Sequence, residues 1–281
     1  MTVDSIRVSR SWLALREPAD AAARAPDLAE QLWQRLPIAR RQVIHDLGCG
    51  TGAMGRWLAP RLPGPQHWVV HDRDADLLAL AAEDLPGQAA DGAAVSVETR
   101  QSDITRLDPG DLANATLITA SAMLDLLTGE ELAGLVTVCA GVGCPVLLTL
   151  SVVGRVDLRP ADPLDAVVAT AFDSHQRRTT ERGRLLGPDA VPVAVAEFDR
   201  LGADVLVRPS PWQLGAAEAD LTAQWFTGWL GAACAQQVEL AAETDAYARR
   251  RLAEATAGQL AVTVHHADLL ILPRRADRES G

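Results

Sequence analysis

The sequence carries an aspartate followed by three glycines at alternate positions, Asp46-Leu47-Gly48-Cys49-Gly50-Thr51-Gly52. Alternating glycines let a backbone turn sharply from a strand into a helix and approach a ligand where any Cβ would collide. The helix that follows offers unpaired N–H groups. Two cofactor chemistries use such a turn. A Gly-x-Gly-x-x-Gly reading through Gly50, Gly52 and Gly55 would suit a dinucleotide. The register argues against it: the strand ends at Asp46 and Leu47, so the turn begins at Gly48. An acid at position 46 is poorly placed beside a pyrophosphate and suits a ligand bearing an ammonium and a sulfonium cation.

The elements that must hold this turn follow from the apolar pattern. Gln42 to Leu47 is a short apolar run entering the glycines, and Met54 to Leu62 reads as the next helix. The unit repeats, with strands at His67 to His71, Ala94 to Thr99, Leu117 to Ser121 and Val146 to Val152, and helices at Ala75 to Leu85 and Gly129 to Cys139. Pro192 to Leu201 reads as a helix, Ala203 to Arg208 as a strand and Gln259 to Leu272 as the last strand. Strands alternating with helices predict a Rossmann-like α/β fold, a seven-stranded and mostly parallel sheet with helices on both faces. Before it, Trp12, Leu13, Leu15, Leu28, Leu32, Trp33 and Leu36 recur at helical spacing, with Pro18 and Pro26 as breaks, predicting two or three short helices. Residues 1–281 are expected to form one domain: N-terminal helices over 1–40, a cofactor core over 41–152, and insertions at 153–190 and 209–258. The helices and insertions are expected to cap the carboxyl ends of the strands, where open α/β sheets bind ligands.

With these elements in order, the sequence resembles the class I S-adenosylmethionine-dependent methyltransferase superfamily, whose first motif is acid-x-Gly-x-Gly-x-Gly, as in Asp46 through Gly52. The resemblance runs over residues 40 to 152. It implies S-adenosylmethionine as cofactor, with Asp46, Gly48, Cys49, Gly50 and Gly52 forming its loop and Asp72, with Arg73 beside it, at the ribose hydroxyls. Asp103 and Ile104 correspond to the family's adenine contact, and Thr119, Ala120 and Ser121 to the backbone facing the methionine part. An acid at Asp72 would equally suit an NAD-binding fold or a helix N-cap, and Ser102-Asp103 would make a good turn.

Methyl transfer is an in-line displacement, in which holding the nucleophile near the methyl does much of the work and a base is needed only for some acceptors. Asp125, just past the fourth strand, is a candidate for the catalytic group or a helix cap. His175 and Gln176, in the polar insertion, are the leading substrate-facing pair, with His175 a second candidate for the catalytic group or else a surface histidine in an arginine-rich loop, and Trp212 is a candidate wall of the acceptor pocket. Arg16 could reach the cofactor carboxylate, or be an exposed arginine. Trp225 and Trp229 with Leu221 form a helix stripe that belongs to a core. His265, His266 and Asp268 lie on a strand whose neighbours point to opposite faces, so no metal site is expected.

Composition bounds the function. The chain has 281 residues with 26 basic against 37 acidic side chains, net −11, which gives no footprint for nucleic acid. All the basic residues are arginines, which excludes Schiff-base chemistry, a pyridoxal phosphate anchor and a P-loop lysine. Cys49, Cys139, Cys144 and Cys234 form no zinc or disulfide pattern, which fits a reducing cytoplasm. Met1 to Arg10 lacks a leader-like apolar core and no span of membrane length follows, so a soluble protein is expected. The expected function is methyl transfer to a small-molecule acceptor, in secondary metabolism. An NAD-dependent oxidoreductase, or a cofactor-binding protein without methylation activity, are the alternatives.

Overall fold

In the computed structural model the chain is described over residues 8–36 and 40–274, so residues 1–7, 37–39 and 275–281, including most of the stretch Met1 to Arg10 considered above, lie outside it. The central strand β1 (Gln42–Leu47) is buried almost throughout, as a parallel strand covered on both faces must be. It is flanked by β2 (Gln66–Asp72) and then β3 (Val95–Gln101) on one side, and by β4 (Leu117–Ser121) and then β5 (Val146–Arg159) on the other, all parallel. β10 (Ala261–Pro273) enters antiparallel beside β5, and β8 (Ala203–Pro209) closes that edge. The short β9 (Trp212–Leu214) pairs with the far half of β10, giving an eight-stranded sheet of order β3-β2-β1-β4-β5-β10-β8. A two-stranded hairpin, β6 (Thr179–Thr180) and β7 (Gly183–Arg184), stands apart.

Helices α1 (Arg10–Ala23) and α2 (Pro26–Trp33) precede the sheet, and α3 (Ala53–Leu58), α4 (Ala75–Asp84) and α5 (Gly129–Val142) connect its parallel strands. Later come α6 (Pro163–Gln176), α7 (Ala190–Arg200), α8 (Ala219–Gln236), α9 (Glu239–Glu243) and α10 (Asp245–Thr256). Leu132, Val136 and Cys139 of α5 pack with Ala194 and Phe198 of α7 on one sheet face. Leu28 and Leu32 of α2, Met54 and Leu58 of α3, and Leu78 of α4 fill the other.

A third cluster lies beyond the sheet. β5 and β10 continue past their neighbours, pairing Leu158 with Val262, and their outer halves carry α6, α8, α10 and β9. Val168, Phe226, Trp229 and Tyr247 are its buried centre, and Trp12, Leu15 and Ala19 of α1 pack against it. Trp229 thus joins a core, with the half-buried Trp225 stacked on it at 5.3 Å.

Three differences from the sequence reading have physical causes. Pro18 does not break α1: it sits on the exposed side with exposed Ala14, so the Ala14 carbonyl it leaves without a partner faces water. The fifth strand runs to Arg159 instead of Val152, because β10 supplies an antiparallel partner along its length. The polar stretch after it is helical because Asp162 and Asp165 form a capping box around Pro163, opening α6. Among the described residues, no helix is long and apolar enough to cross a membrane.

Candidate active site

The sheet reverses its winding between β1 and β4, and a cavity of about 500 Å³ opens at the carboxyl ends of β1 to β4. Its floor is the glycine turn. Gly48, Gly50 and Gly52 all take left-handed φ values (66°, 55° and 84°), a conformation that costs other residues on the order of 1 kcal/mol each. Their tasks differ. A Cβ on Gly52 would lie 3.1 Å from Ala81 Cα, so this glycine lets α4 approach. A Cβ on Gly50 would come 3.4 Å from Leu13, filling the cleft between the turn and α1.

Asp46 is buried behind the turn. Its Oδ1 accepts from the Thr119 hydroxyl at 2.7 Å, and its Oδ2 is buried with no partner among the described residues. Burial pushes its carboxyl up to about 7, against the pull of Thr119 and of Arg24. Asp72, at the end of β2, accepts from the Gly50 N–H at 2.9 Å and the Asp74 N–H at 3.0 Å, which aims it across the turn. The N-cap of α4 is instead Asp74, whose carboxylate accepts from the Asp76 N–H. Asp103 accepts from the Thr105 amide and hydroxyl; burial pushes its carboxyl up, but these bonds outweigh it and hold the group below its usual range. Burial also drives the Cys49 thiol up, so it is inert as a nucleophile.

Nine of the residues expected at the cofactor line this cavity: Asp46, Gly48, Cys49, Gly50, Asp72, Arg73, Asp103, Ile104 and Ser121. Gly52, Thr119 and Ala120 act from behind, through helix packing, the bond to Asp46 and burial in the sheet core. After Ser121 the chain turns through Ala122, a left-handed residue whose N–H donates to Thr149 O, and this swings Met123 and Asp125 to the cavity wall. Burial pushes the Asp125 carboxyl up to about 6, opposed by its own backbone N–H, Arg16 and Arg178.

The roof is α1, which contributes Trp12, Leu13, Arg16, Asp20 and Arg24. Arg16 is held bidentately by Asp20 and lies over the Trp212 ring at 4.9 Å, so it is neither exposed nor free. Arg24 is the residue the sequence reading missed. It is buried, donates through Nη2 to Ser121 Oγ at 3.2 Å, and leaves Nε and Nη1 with no partner among the described residues. Burial lowers its pKa, opposed by Asp20, Asp268 and Asp46. Asp268 fixes the surroundings, accepting from the N–H groups of Ala25 and Leu150 and from the Ser210 hydroxyl. No spacing announces Arg24, because its position depends on α1 folding back over the sheet.

The expected acceptor residues are arranged differently. His175 and Gln176 end α6, which is docked on α8, and neither lines the cavity. Gln176 turns inward and its Nε2 lies 3.5 Å from Asp125 Oδ2, whereas His175 has its pKa lowered by burial and by Arg178. Trp212 is buried behind α1, donating to Asp20 at 2.9 Å, because β9 packs against α1. From the insertions only Arg182, on the β6–β7 hairpin, reaches the described lining. His265 pairs with Asp157 at 2.7 Å while His266 meets the Trp212 edge, so the two face apart.

Residues 44–144 match a family model described as a methyltransferase domain. A cyclopropane-fatty-acyl-phospholipid synthase-like protein from Lactobacillus casei is 15% identical and superposes with a TM-score of 0.54 over 97% of this chain and 96% of that one. The cyclopropane synthase MmaA2 from Mycobacterium tuberculosis is 13% identical, with a TM-score of 0.51 over 94% of each chain. A SAM-dependent methyltransferase from Geobacter sulfurreducens, solved with S-adenosyl-L-homocysteine, is 16% identical over 96% of this chain and 100% of that one, with a TM-score of 0.45. No curated protein matches this chain. At such identities the two superpositions with TM-scores above 0.5 establish the fold alone.

Proposed function

We propose that this chain, whose residues 44–144 match a methyltransferase domain model, uses S-adenosylmethionine to methylate a small-molecule acceptor held in the cavity beneath α1. The observation that carries this reading is the pair of buried, unpartnered groups of opposite charge at one end of that cavity, Asp46 Oδ2 and the Nε and Nη1 of Arg24. A buried polar atom without a partner is costly, and a ligand supplying both an ammonium and a carboxylate satisfies the two at once. The amino-acid end of S-adenosylmethionine has that pair of groups. The cleft that a Gly50 Cβ would fill gives the rest of the molecule room against the backbone.

In this reading Asp72 holds the ribose hydroxyls, Asp103 and the Ile104 backbone take the adenine edge, and Asp46 and Arg24 take the amino acid. Arg73 screens the ribose from solvent. Bound there, the cofactor supplies a methyl group activated on sulfonium. The chain's own residues orient the two reactants and exclude water, with α1 as the cover. A small acceptor is supported by the roofing of the cavity with α1, and by a net charge of −11 that disfavours nucleic acid. A place in secondary metabolism and in the cytoplasm belongs to the same proposal; the free cysteines at 49, 139, 144 and 234 support the latter.

The test is calorimetric titration with S-adenosylhomocysteine and, separately, NAD. Binding of the first alone is expected. Binding of NAD alone would overturn the assignment.

A further inference from the structure

One wall of the cavity is not used by the cofactor contacts above: Met123, Asp125, Leu126 and Leu127, after β4, across from Trp12 and Leu13 of α1. It is apolar apart from Asp125. The cations that act on Asp125 are engaged elsewhere. Arg16 is bidentate with Asp20, and Arg178 donates to the His175 carbonyl. Arg182, at the rim, is tied to Glu131 at 2.7 Å and to the Leu126 carbonyl. Among the described residues, the side-chain contact on the Asp125 carboxylate is the long one from Gln176 Nε2 at 3.5 Å, and Gln176 Oε1 beside it is buried without a partner. Two hydrogen-bond acceptors short of donors, one on this wall and one just behind it, thus lie side by side, and the cations near them are spent on other carboxylates and carbonyls.

Resting on the methyl-transfer reading, we propose that Asp125 is the proton acceptor of the reaction, and that the substrate is a hydroxyl or amino compound on an apolar body, not a carboxylic acid or phosphate ester. As the acceptor's O–H or N–H bond breaks, its proton passes to an Asp125 oxygen. The electron pair left on oxygen or nitrogen forms the new bond to the methyl carbon. The pair of the sulfur–methyl bond goes to the departing thioether, so no oxidant or metal is required.

The environment suits that task. Burial raises Asp125 to about 6, so the carboxylate is mostly ionised at neutral pH yet basic enough to receive a proton in a dry site. The groups that face it are Arg16 from α1, Gln176 and Arg178 from the end of α6, and Arg182 with Glu131 at the rim. Gln176 is a positioning residue, favouring the ionised form through its amide. With Arg24 taken by the cofactor carboxylate, an anionic substrate would meet the Asp125 charge with no free cation among the described residues of this wall to offset it.

The experiment titrates protein saturated with S-adenosylhomocysteine with phenol, aniline and benzoate at neutral pH. Phenol and aniline are expected to bind and benzoate to be rejected. Asp125→Asn should weaken phenol about tenfold, the loss of one charge-assisted hydrogen bond, and admit benzoate, while the affinity for S-adenosylhomocysteine stays the same. Phenol binding should fall off below about pH 6 in the wild type, and Gln176→Leu should move that limb to higher pH. Benzoate binding as well as phenol, binding of neither, or an Asp125→Asn variant with unchanged selectivity overturns the proposal. Failure of S-adenosylhomocysteine itself to bind overturns the methyl-transfer reading instead, so the two failures are distinct.

Discussion

Arg24 and Asp46 make the sharpest demand on a ligand, since each buries polar atoms that nothing among the described residues satisfies. Arg24→Gln should weaken S-adenosylhomocysteine by one to two powers of ten, roughly the 1.5 to 3 kcal/mol of a charge-assisted bond. It should leave 5′-methylthioadenosine, which lacks the amino-acid end, unaffected. Equal losses for both ligands in calorimetry would make Arg24 a structural prop for Ser121. Asp46 adds a pH signature. Its folded pKa of about 7 lies above the ordinary carboxyl value of 3.8, so its contribution to stability is fully present below about pH 4 and is lost as pH rises through about 7. An ammonium beside Oδ2 would favour the ionised form, so binding below pH 7 should release a proton and affinity should rise with pH until about 7. Asp46→Asn should abolish both the proton release, read by titration in two buffers of different ionisation heat, and the pH dependence of affinity.

Among the elements, α1 is the one whose position decides the site. Besides its packing, it is latched by Glu17, which takes both Nε and Nη2 of Arg56 at 2.6 Å, while Arg56 also reaches the Thr51 carbonyl in the glycine turn. Both side chains are about a quarter exposed, so the pair contributes on the order of 1 kcal/mol. Glu17→Gln should therefore speed release of S-adenosylhomocysteine about fivefold in stopped-flow while changing the melting temperature little. A large loss of stability with unchanged release would make the pair a fold support.

What could be read from sequence divides along the same line. Gly48, Gly50, Asp72 and Asp103 follow their strands within a few residues, so local pattern suffices to find them. Arg24, Trp12 and Leu13 reach the cavity only because a helix distant in sequence folds back over it. His175 and Trp212 were drawn toward the acceptor by proximity in sequence to strand ends. α6 and β9 carry them into packing against α8 and α1. The capping box at Asp162 and Asp165 sets the helix that decides where His175 and Gln176 point, and a polar composition hides it in the sequence.

At the scale of the molecule, the third hydrophobic cluster raises the question of whether it folds with the sheet or beside it. Its hub is Arg251, 1% exposed, which grips Asp165 through Nη2 and reaches Glu254 and the Pro160 carbonyl through Nη1, while Tyr247 donates to Asp165 as well. Removing the cation leaves two partly buried carboxylates unpaired, a defect that costs about 3 to 5 kcal/mol. β5 and β10 pass without interruption from the sheet into the cluster, and α1 packs against the cluster and also roofs the cavity. Loosening should therefore spread to the sheet. Arg251→Met is expected to lower the melting temperature by about 10 °C at 2 to 4 °C per kcal/mol, in a single calorimetric transition that S-adenosylhomocysteine still raises. Two resolved transitions, with only the upper one raised by the ligand, would show that residues 153–190 and 209–258 form a separate folding unit, and that the roof over the site is held by α1 and its Arg56 latch alone.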